Sequence, residues 1–390
     1  MDPHATEEHA ARTARLQAAL EDRKLSGALL LHAVDIFYLS GTRQNGALWV
    51  PARGAPVLLV RKSFARARRE SAVADVRPFP PSKELAGTLG TSGPIGTPFD
   101  ALPVATFDWW RRQLPGVEWA DLSATLREQR AVKSPAELAV LRTGGARLAA
   151  VLADLPRFLR AGMSELELSA EVESRLRRAG NEGAPRLRAF NAELYGGLAV
   201  AGASAAEPGS FDGPVVGRGL HAAYPVGASS SAIGAGEPVL VDYTGVFGGY
   251  VVDATRTAVV GRLAPPLERA FKVSLSIQDA VVRALRPGAI PTDLWELAKG
   301  LAEGAGLGEH FMGPKGDQAR FVGHGVGLEL DELPVLAPGA KAPLAAGHVV
   351  ALEPKFVFPG LGAVGIENTW AVTEGGGEKL TTAPDDLLHA

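Results

Sequence analysis

The segment VDYTGVFGGYVVDATRT, residues 241–257, constrains the fold more than any other part of the chain. Valines, threonines and aromatics flank Gly248-Gly249, which predicts two antiparallel strands joined by a two-residue turn whose central positions need positive φ. Such a turn sets the register: residue 247 faces 250 and residue 244 faces 253. Asp242 then lies diagonally across from Asp253 on one face, with Cα atoms roughly 7–8 Å apart, so that both carboxylates can lean toward one point. An ordinary solvent-facing hairpin could carry two such acids. The valine neighbours argue for burial instead, and buried unpaired carboxylates are too costly to persist, so a cation between them is expected.

The donors available for such a cation follow from composition. The chain of 390 residues contains no cysteine, which excludes disulfides, thiolate metal sites and cysteine nucleophiles and leaves His, Asp and Glu. A net charge of −3 offers no basic field for nucleic acid. The most apolar early stretch, GALLL, is broken by His32 and Asp35 and is far shorter than the ~20 residues a membrane-spanning helix needs. The N-terminal MDPHATEEHAARTARLQ lacks the basic start and apolar run of an export signal. The expectation is a folded cytoplasmic protein with no nucleic-acid or membrane partner.

Length favours two domains. The first third alternates a helix near residues 8–22, strands GALLLHA and DIFYLS, and a hairpin turning at Arg53-Gly54, an α/β pattern. Residues 81–104, rich in Pro, Gly, Ser and Thr, predict loops. Ser134, Pro135 and Glu137 make a helix start, and the boundary is placed there, giving domains 1–133 and 134–390. Helices are expected over 135–154, 164–179 and 265–285, a loop region over about 196–232, and strands with Gly turns from 345.

Three further donors stand out. His324 sits between glycines in GHGVGL, where small neighbours allow close approach. Glu353 in ALEP and Glu367 in GIEN flank the turn PGLG; a loop centred near Gly360 makes them cross-strand partners, again like charges in apolar strands. Asp242, Asp253, His324, Glu353 and Glu367 together suit two divalent ions sharing bridging carboxylates and a bridging hydroxide.

These five residues, in this order and spacing, resemble the pita-bread-fold metallopeptidases that include aminopeptidase P, prolidase and methionine aminopeptidase. AVKSPAELAVLR is similar to the family's interdomain junction and DIFYLSG to part of a creatinase-type N-terminal domain. The resemblance implies a creatinase-like α/β N-terminal domain before a C-terminal pita-bread (α+β) domain, and a small peptide or small-molecule substrate. It implies that Asp242 and Glu367 bridge two ions, manganese first with cobalt, zinc or iron as alternatives, that Asp253 binds one ion, and that His324 and Glu353 bind the other. Glu353 would serve as acid/base for hydroxide attack on an amide carbonyl, the reaction of an Xaa-Pro aminopeptidase or dipeptidase. A homodimer is implied as well.

Three positions depart from the family. Asp331 in LELDELP stands where a second histidine, seven residues after the first, stabilises the tetrahedral intermediate. A carboxylate donates a hydrogen bond there only when protonated, and Asp331 joins Glu353 as the second candidate catalytic group. Pro225 replaces a substrate-facing histidine, with His221 and Tyr224 nearby as candidate substrate-binding groups. Gly365 replaces an arginine two residues before Glu367. A non-peptide amide hydrolase or lyase, or a binding protein without turnover, therefore stands as the alternative. GLGAVG at 360–365 fits a dinucleotide pattern but precedes a strand, not a helix. GASSS lacks a nucleophile elbow, Trp109-Trp110 read as core or interface, and His348 reads as a turn into a strand.

Overall fold

The computed structural model describes residues 3–90 and 93–390; Thr91 and Ser92, within the expected loop region, lie outside the described residues, as do the first two. Contacts divide the chain into two compact units. One comprises residues up to Arg130 with Arg188–Phe190, and the other Ala131–Leu187 with Asn191–Ala390.

In the first unit, α1 (Pro3–Asp22), β1 (Gly27–Leu30), α2 (Ala33–Ser40), β2 (Gly46–Pro51), β3 (Val57–Val60), α3 (Phe64–Glu70), β4 (Asp75–Pro78), α4 (Leu85–Leu89), β5 (Ile95–Thr97), α5 (Val104–Gln113), β6 (Trp119–Asp121) and α6 (Ser123–Ala131) follow in order. The strands form one mixed sheet, β4-β3-β2-β1-β5-β6. The hairpin at Arg53-Gly54 forms as read, with Leu48 opposite Leu58. DIFYLS, expected as a strand, is helix α2. Gly41 closes it at φ 75° with its N–H on Phe37 O, and a left-handed cap of this kind ends helices. The fully buried Asp35 inside it meets Arg130 at 2.9 Å and Arg188 at 3.3 Å. Residues 81–104 are more regular than expected, carrying α4, β5 and the start of α5. Trp110 is buried and meets Trp109 edge to face.

The second unit starts at α7 (Pro135–Ala153), where Ser134 and Glu137 form a reciprocal capping box. There follow α8 (Glu165–Arg178), β7 (Gly197–Ala201), α9 (Gly202–Ala205), β8 (Pro238–Phe247), β9 (Tyr250–Val259), α10 (Pro265–Ala284), α11 (Pro291–Gly304), β10 (Gly323–Gly325), β11 (Glu332–Leu336), β12 (Val349–Leu352), β13 (Lys355–Phe358), β14 (Gly362–Gly365), β15 (Asn368–Thr373), β16 (Gly376–Lys379) and β17 (Leu388–His389). The region expected as loop over 196–232 contains β7 and α9. One sheet runs β17-β9-β8-β7, a second runs β11-β10-β12-β15-β16, and β13-β14 form a separate ribbon. Apolar faces of α10 and α11 pack with Phe356, Val364 and Trp370 into one core. Among the described residues no helix is long and apolar enough to cross a membrane.

Candidate metal centre

Strands β8 and β9 form the predicted hairpin in the predicted register, with Phe247 opposite Tyr250 and Thr244 opposite Asp253. Gly248 and Gly249 adopt φ of 58° and 82°, and their N–H groups donate to Glu182 at 2.6 and 2.9 Å. Every residue of the pair is buried except Asp242, which is partly open. A hairpin buried on both faces needs compensation for its carboxylates, and Asp242 marks where the interior is reached from outside.

The two glutamates come from one interrupted hairpin. β12 pairs with β15 up to Leu352 opposite Asn368, and β13 pairs with β14 from Lys355 opposite Gly365, in a single continuous register. Pro354, which has no N–H to donate, sits in the interruption. Continuity of register places Glu353 opposite Glu367, as expected from the sequence. At the break Glu353 N–H donates to Val322 O, and Glu367 pairs instead with Thr255. Both carboxyls are almost wholly buried.

His324 stands on β10 at a register shift between His324 and Gly325, a bulge of the sort that re-aims a side chain. Its framing glycines are needed for strand packing: a Cβ at Gly323 would lie 2.6 Å from Ala351 O, and one at Gly325 would lie 2.3 Å from Leu333 O. What approaches closely at these glycines is therefore the neighbouring backbone. His324 Nδ1 donates to Leu330 O at 2.9 Å. A carbonyl only accepts, so Nδ1 carries the proton and the Nε2 lone pair faces the carboxylates, the orientation in which a metal-binding imidazole is usually fixed.

All five predicted donors converge. Nε2 lies 3.6 Å from Glu353 Oε1, 3.9 Å from Glu367 Oε1 and 4.0 Å from Asp253 Oδ2. Those separations exceed a hydrogen bond but suit ligands each about 2.1 Å from one shared ion. Asp253 Oδ1 is buried without a hydrogen-bond partner among the described residues, an orphan acceptor that a cation would satisfy. Asp253 N–H donates to Thr369 Oγ1, which fixes the Asp253 backbone, and Thr255 Oγ1 donates to Glu367 Oε2 at 2.7 Å, which holds the Glu367 carboxylate. The Asp253, His324 and Glu367 set fits a divalent cation, its donor atoms lying within 4.8 Å of one another.

The second set, Asp242, Glu353 and Glu367, also clusters within 4.8 Å, but it encloses Lys355. The Lys355 Nζ donates to Asp242 Oδ2 at 2.7 Å, Glu353 Oε2 at 2.7 Å and Glu367 Oε2 at 3.0 Å. This half does not fit a metal ion, because an ammonium already sits among its donors. Sequence reading missed Lys355, although the signal was there: two residues after Glu353 on an extended strand, it shares that residue's face.

The grouping also differs from the one the resemblance implied. Asp253 joins His324 instead of lying opposite it, Asp242 faces Lys355, and both glutamates extend one oxygen to each half. The diagonal offset of the two aspartates across β8 and β9 separates them in this way. Burial, reinforced by Glu367, raises Asp242 above the usual carboxylate range against the pull of Lys355. Burial and the charges of Glu367 and Asp242 raise Asp253 well above it. For Lys355, burial opposes the charged form, but the three carboxylates outweigh it and hold the ammonium well above its usual range.

The remaining candidates lie outside the two donor groups. Asp331 occupies the turn between β10 and β11 and belongs to neither. His221 and Tyr224 share an exposed turn in which Tyr224 N–H donates to His221 O, and His221 Nδ1 accepts from Ala223 N–H. His348 Nδ1 accepts from Ala345 N–H at the start of β12. The GLGAVG segment runs from β14 toward β15 with no helix behind it.

Two sheets with helices packed on them bring oxygen and nitrogen donors together between strands, a setting that fits a divalent cation. A model described as metallopeptidase family M24 matches residues 139–374, and one described as the creatinase/prolidase N-terminal domain matches residues 12–132. The chain belongs to metallopeptidase family M24. It is similar to a "Probable dipeptidase PepE" of Mycobacterium tuberculosis, 28% identical over 403 residues spanning 98% of this chain and 96% of the relative. It is also similar to an "Xaa-Pro dipeptidase" of Pyrococcus furiosus, 25% identical over 97% of this chain and 99% of that one. Among solved structures, the dipeptidase PepE of Mycobacterium ulcerans superimposes with a TM-score of 0.81 at 27% identity, covering 100% of this chain and 99% of the other.

Proposed function

We propose that this chain is a metal-dependent peptidase of the Xaa-Pro dipeptidase type, cleaving the amide bond of short peptides. The observation that carries the reading is the convergence of His324 with Asp253, Glu353 and Glu367 in a buried gap that fits a divalent cation. Membership of family M24 and whole-length similarity to proteins named as dipeptidases support it.

A bound divalent ion supplies Lewis acidity toward a carbonyl oxygen and lowers the pKa of water. The chain's own residues do the rest. Glu353 presents Oε1 to the gap while Lys355 holds Oε2, an arrangement that aims it to take a proton from water and pass it on to the leaving amine. His324 is locked in one tautomer by Leu330 O. Asp331, and His221 with Tyr224 on their exposed turn, are proposed to line the substrate side. Manganese as the ion, residues 1–133 and 134–390 as the domains, a homodimer and a cytoplasmic location complete the reading; metal analysis, limited proteolysis, sizing and fractionation test each.

The test is turnover of Xaa-Pro dipeptides, longer Xaa-Pro peptides and dipeptides without proline by protein loaded with manganese, cobalt, iron or zinc. Proline release from the Xaa-Pro dipeptides is expected, and no turnover with any ion would refute the reading. Lys355 within the donor set, with Asp331, Pro225 and Gly365 at altered positions, favours two other readings: a non-peptide amide as substrate, or binding without turnover. Hydrolysis of cyclic amides or amidino compounds but of no peptide would establish the former.

A further inference from the structure

We propose that the Lys355 ammonium stands in for one of two divalent ions, so that the centre takes a single divalent cation, at Asp253, His324 and Glu367. This rests on the metal-dependent reading above and specifies its stoichiometry.

The geometry is that of a filled site. Lys355 is essentially unexposed, and its three N–H donors are matched one to one by carboxylate oxygens of Asp242, Glu353 and Glu367 at 2.7–3.0 Å. An ion bonded to the same three side chains at about 2.1 Å would need the same space. Each glutamate divides its oxygens: Oε2 goes to Lys355, and Oε1 faces His324. Among the described residues the His324 half contains no ammonium, and it holds the buried acceptor Asp253 Oδ1, which has no hydrogen-bond partner among them.

A second feature shows that the lysine is built into the strand. Lys355 lies directly opposite Gly365 on the β13-β14 ribbon. A Cβ at Gly365 would come within 2.7 Å of Lys355 Cγ and of Pro354 O. The lysine stem therefore crosses the ribbon over a glycine that leaves it room. Charge agrees: four carboxylates balanced by one ammonium and one divalent ion leave a net −1, so no second ion is needed to make burial tolerable. The ammonium differs from the ion it replaces because all three of its protons are engaged and it has no open position for water or a carbonyl. It neutralises and orients the carboxylates, and any Lewis-acid chemistry falls to the single ion beside His324.

The experiment is metal stoichiometry on the full chain, stripped with chelator and titrated with Mn(II) by equilibrium dialysis with elemental analysis. The wild type is expected to retain about one ion per chain and Lys355→Ala about two, with circular dichroism confirming that the variant is folded. Electron paramagnetic resonance of the wild type gives a readout independent of the variant: isolated Mn(II) supports the inference, and a spin-coupled pair overturns it. Two ions, or none, in the wild type overturn it, as does a folded Lys355→Ala that still takes one. Peptide hydrolysis is scored separately. One bound ion without turnover defeats the peptidase reading alone, whereas turnover with two ions defeats this inference alone.

Discussion

Replacing Lys355 with methionine keeps the apolar stem and removes the charge, leaving Asp242, Glu353 and Glu367 facing one another in the interior. Removing one partner from a buried ion cluster costs about 3–5 kcal/mol, because the charges left behind stay desolvated. The three short contacts to Nζ place Lys355→Met in that range. For a unit of this size each kcal/mol shifts Tm by about 2–4 °C, so thermal unfolding in chelator should show a drop on the order of 10 °C. The sign with pH follows from the groups involved. The ammonium is held above its ordinary range, so its contribution is complete below that range and is lost only in strong alkali. Asp253 and Asp242 are both raised, so they take up protons first as the pH falls, and the gap between wild type and variant narrows toward acid. Added Mn(II) should restore the variant by about 2.7 kcal/mol at a hundredfold excess over Kd. Scanning calorimetry with and without chelator checks all three. An unchanged Tm in chelator would refute the claim that the ammonium balances the carboxylates.

Other perturbations separate the supports of the fold from those of the centre. Thr255→Val removes the hydroxyl that holds Glu367 Oε2 and should weaken divalent-ion affinity about 10–100-fold, measured by calorimetric titration, with little loss of fold. Asp35→Asn removes the buried charge that Arg130 pairs with, while Arg188 keeps Asp100 at 2.7 Å, and should cost about 3–5 kcal/mol in urea unfolding. The His348 pKa is lowered to about 4, mainly by burial and then by Lys133. The unfolded chain therefore takes up that proton first, and stability, complete above pH ~6.5, falls as the pH drops toward 4. His348→Gln should flatten that slope by on the order of 2 kcal/mol after solvent screening, seen in denaturation midpoints across the range.

How much of this was legible depended on how local the determinants are. The β8-β9 register followed from Gly248-Gly249 because two positive-φ residues admit one turn geometry, and the capping box at Ser134 and Glu137 is written within four residues. Helix α2 was not legible. Ile36, Phe37 and Tyr38 favour strand by composition, but α2 is fixed by Gly41 at its end and by Asp35, whose partners lie 95 and 153 residues away. Asp331 and the His221 turn were placed by comparison with a family pattern, and no local rule could state what they face.

Lys355 and Gly365 show where alternation carries further than motif matching. The resemblance leads one to expect an arginine at 365, and its absence first reads as a lost charge. Across the β13-β14 ribbon, however, position 365 is opposite position 355. The cation missing from one strand is present on its partner, and the glycine left behind is what the lysine stem requires. Lys355 carries that charge to a point among three of the centre's carboxylates. On the one-ion proposal, a lysine at 355 with a glycine at 365 keeps a positive charge on this hairpin and leaves all five donors in place.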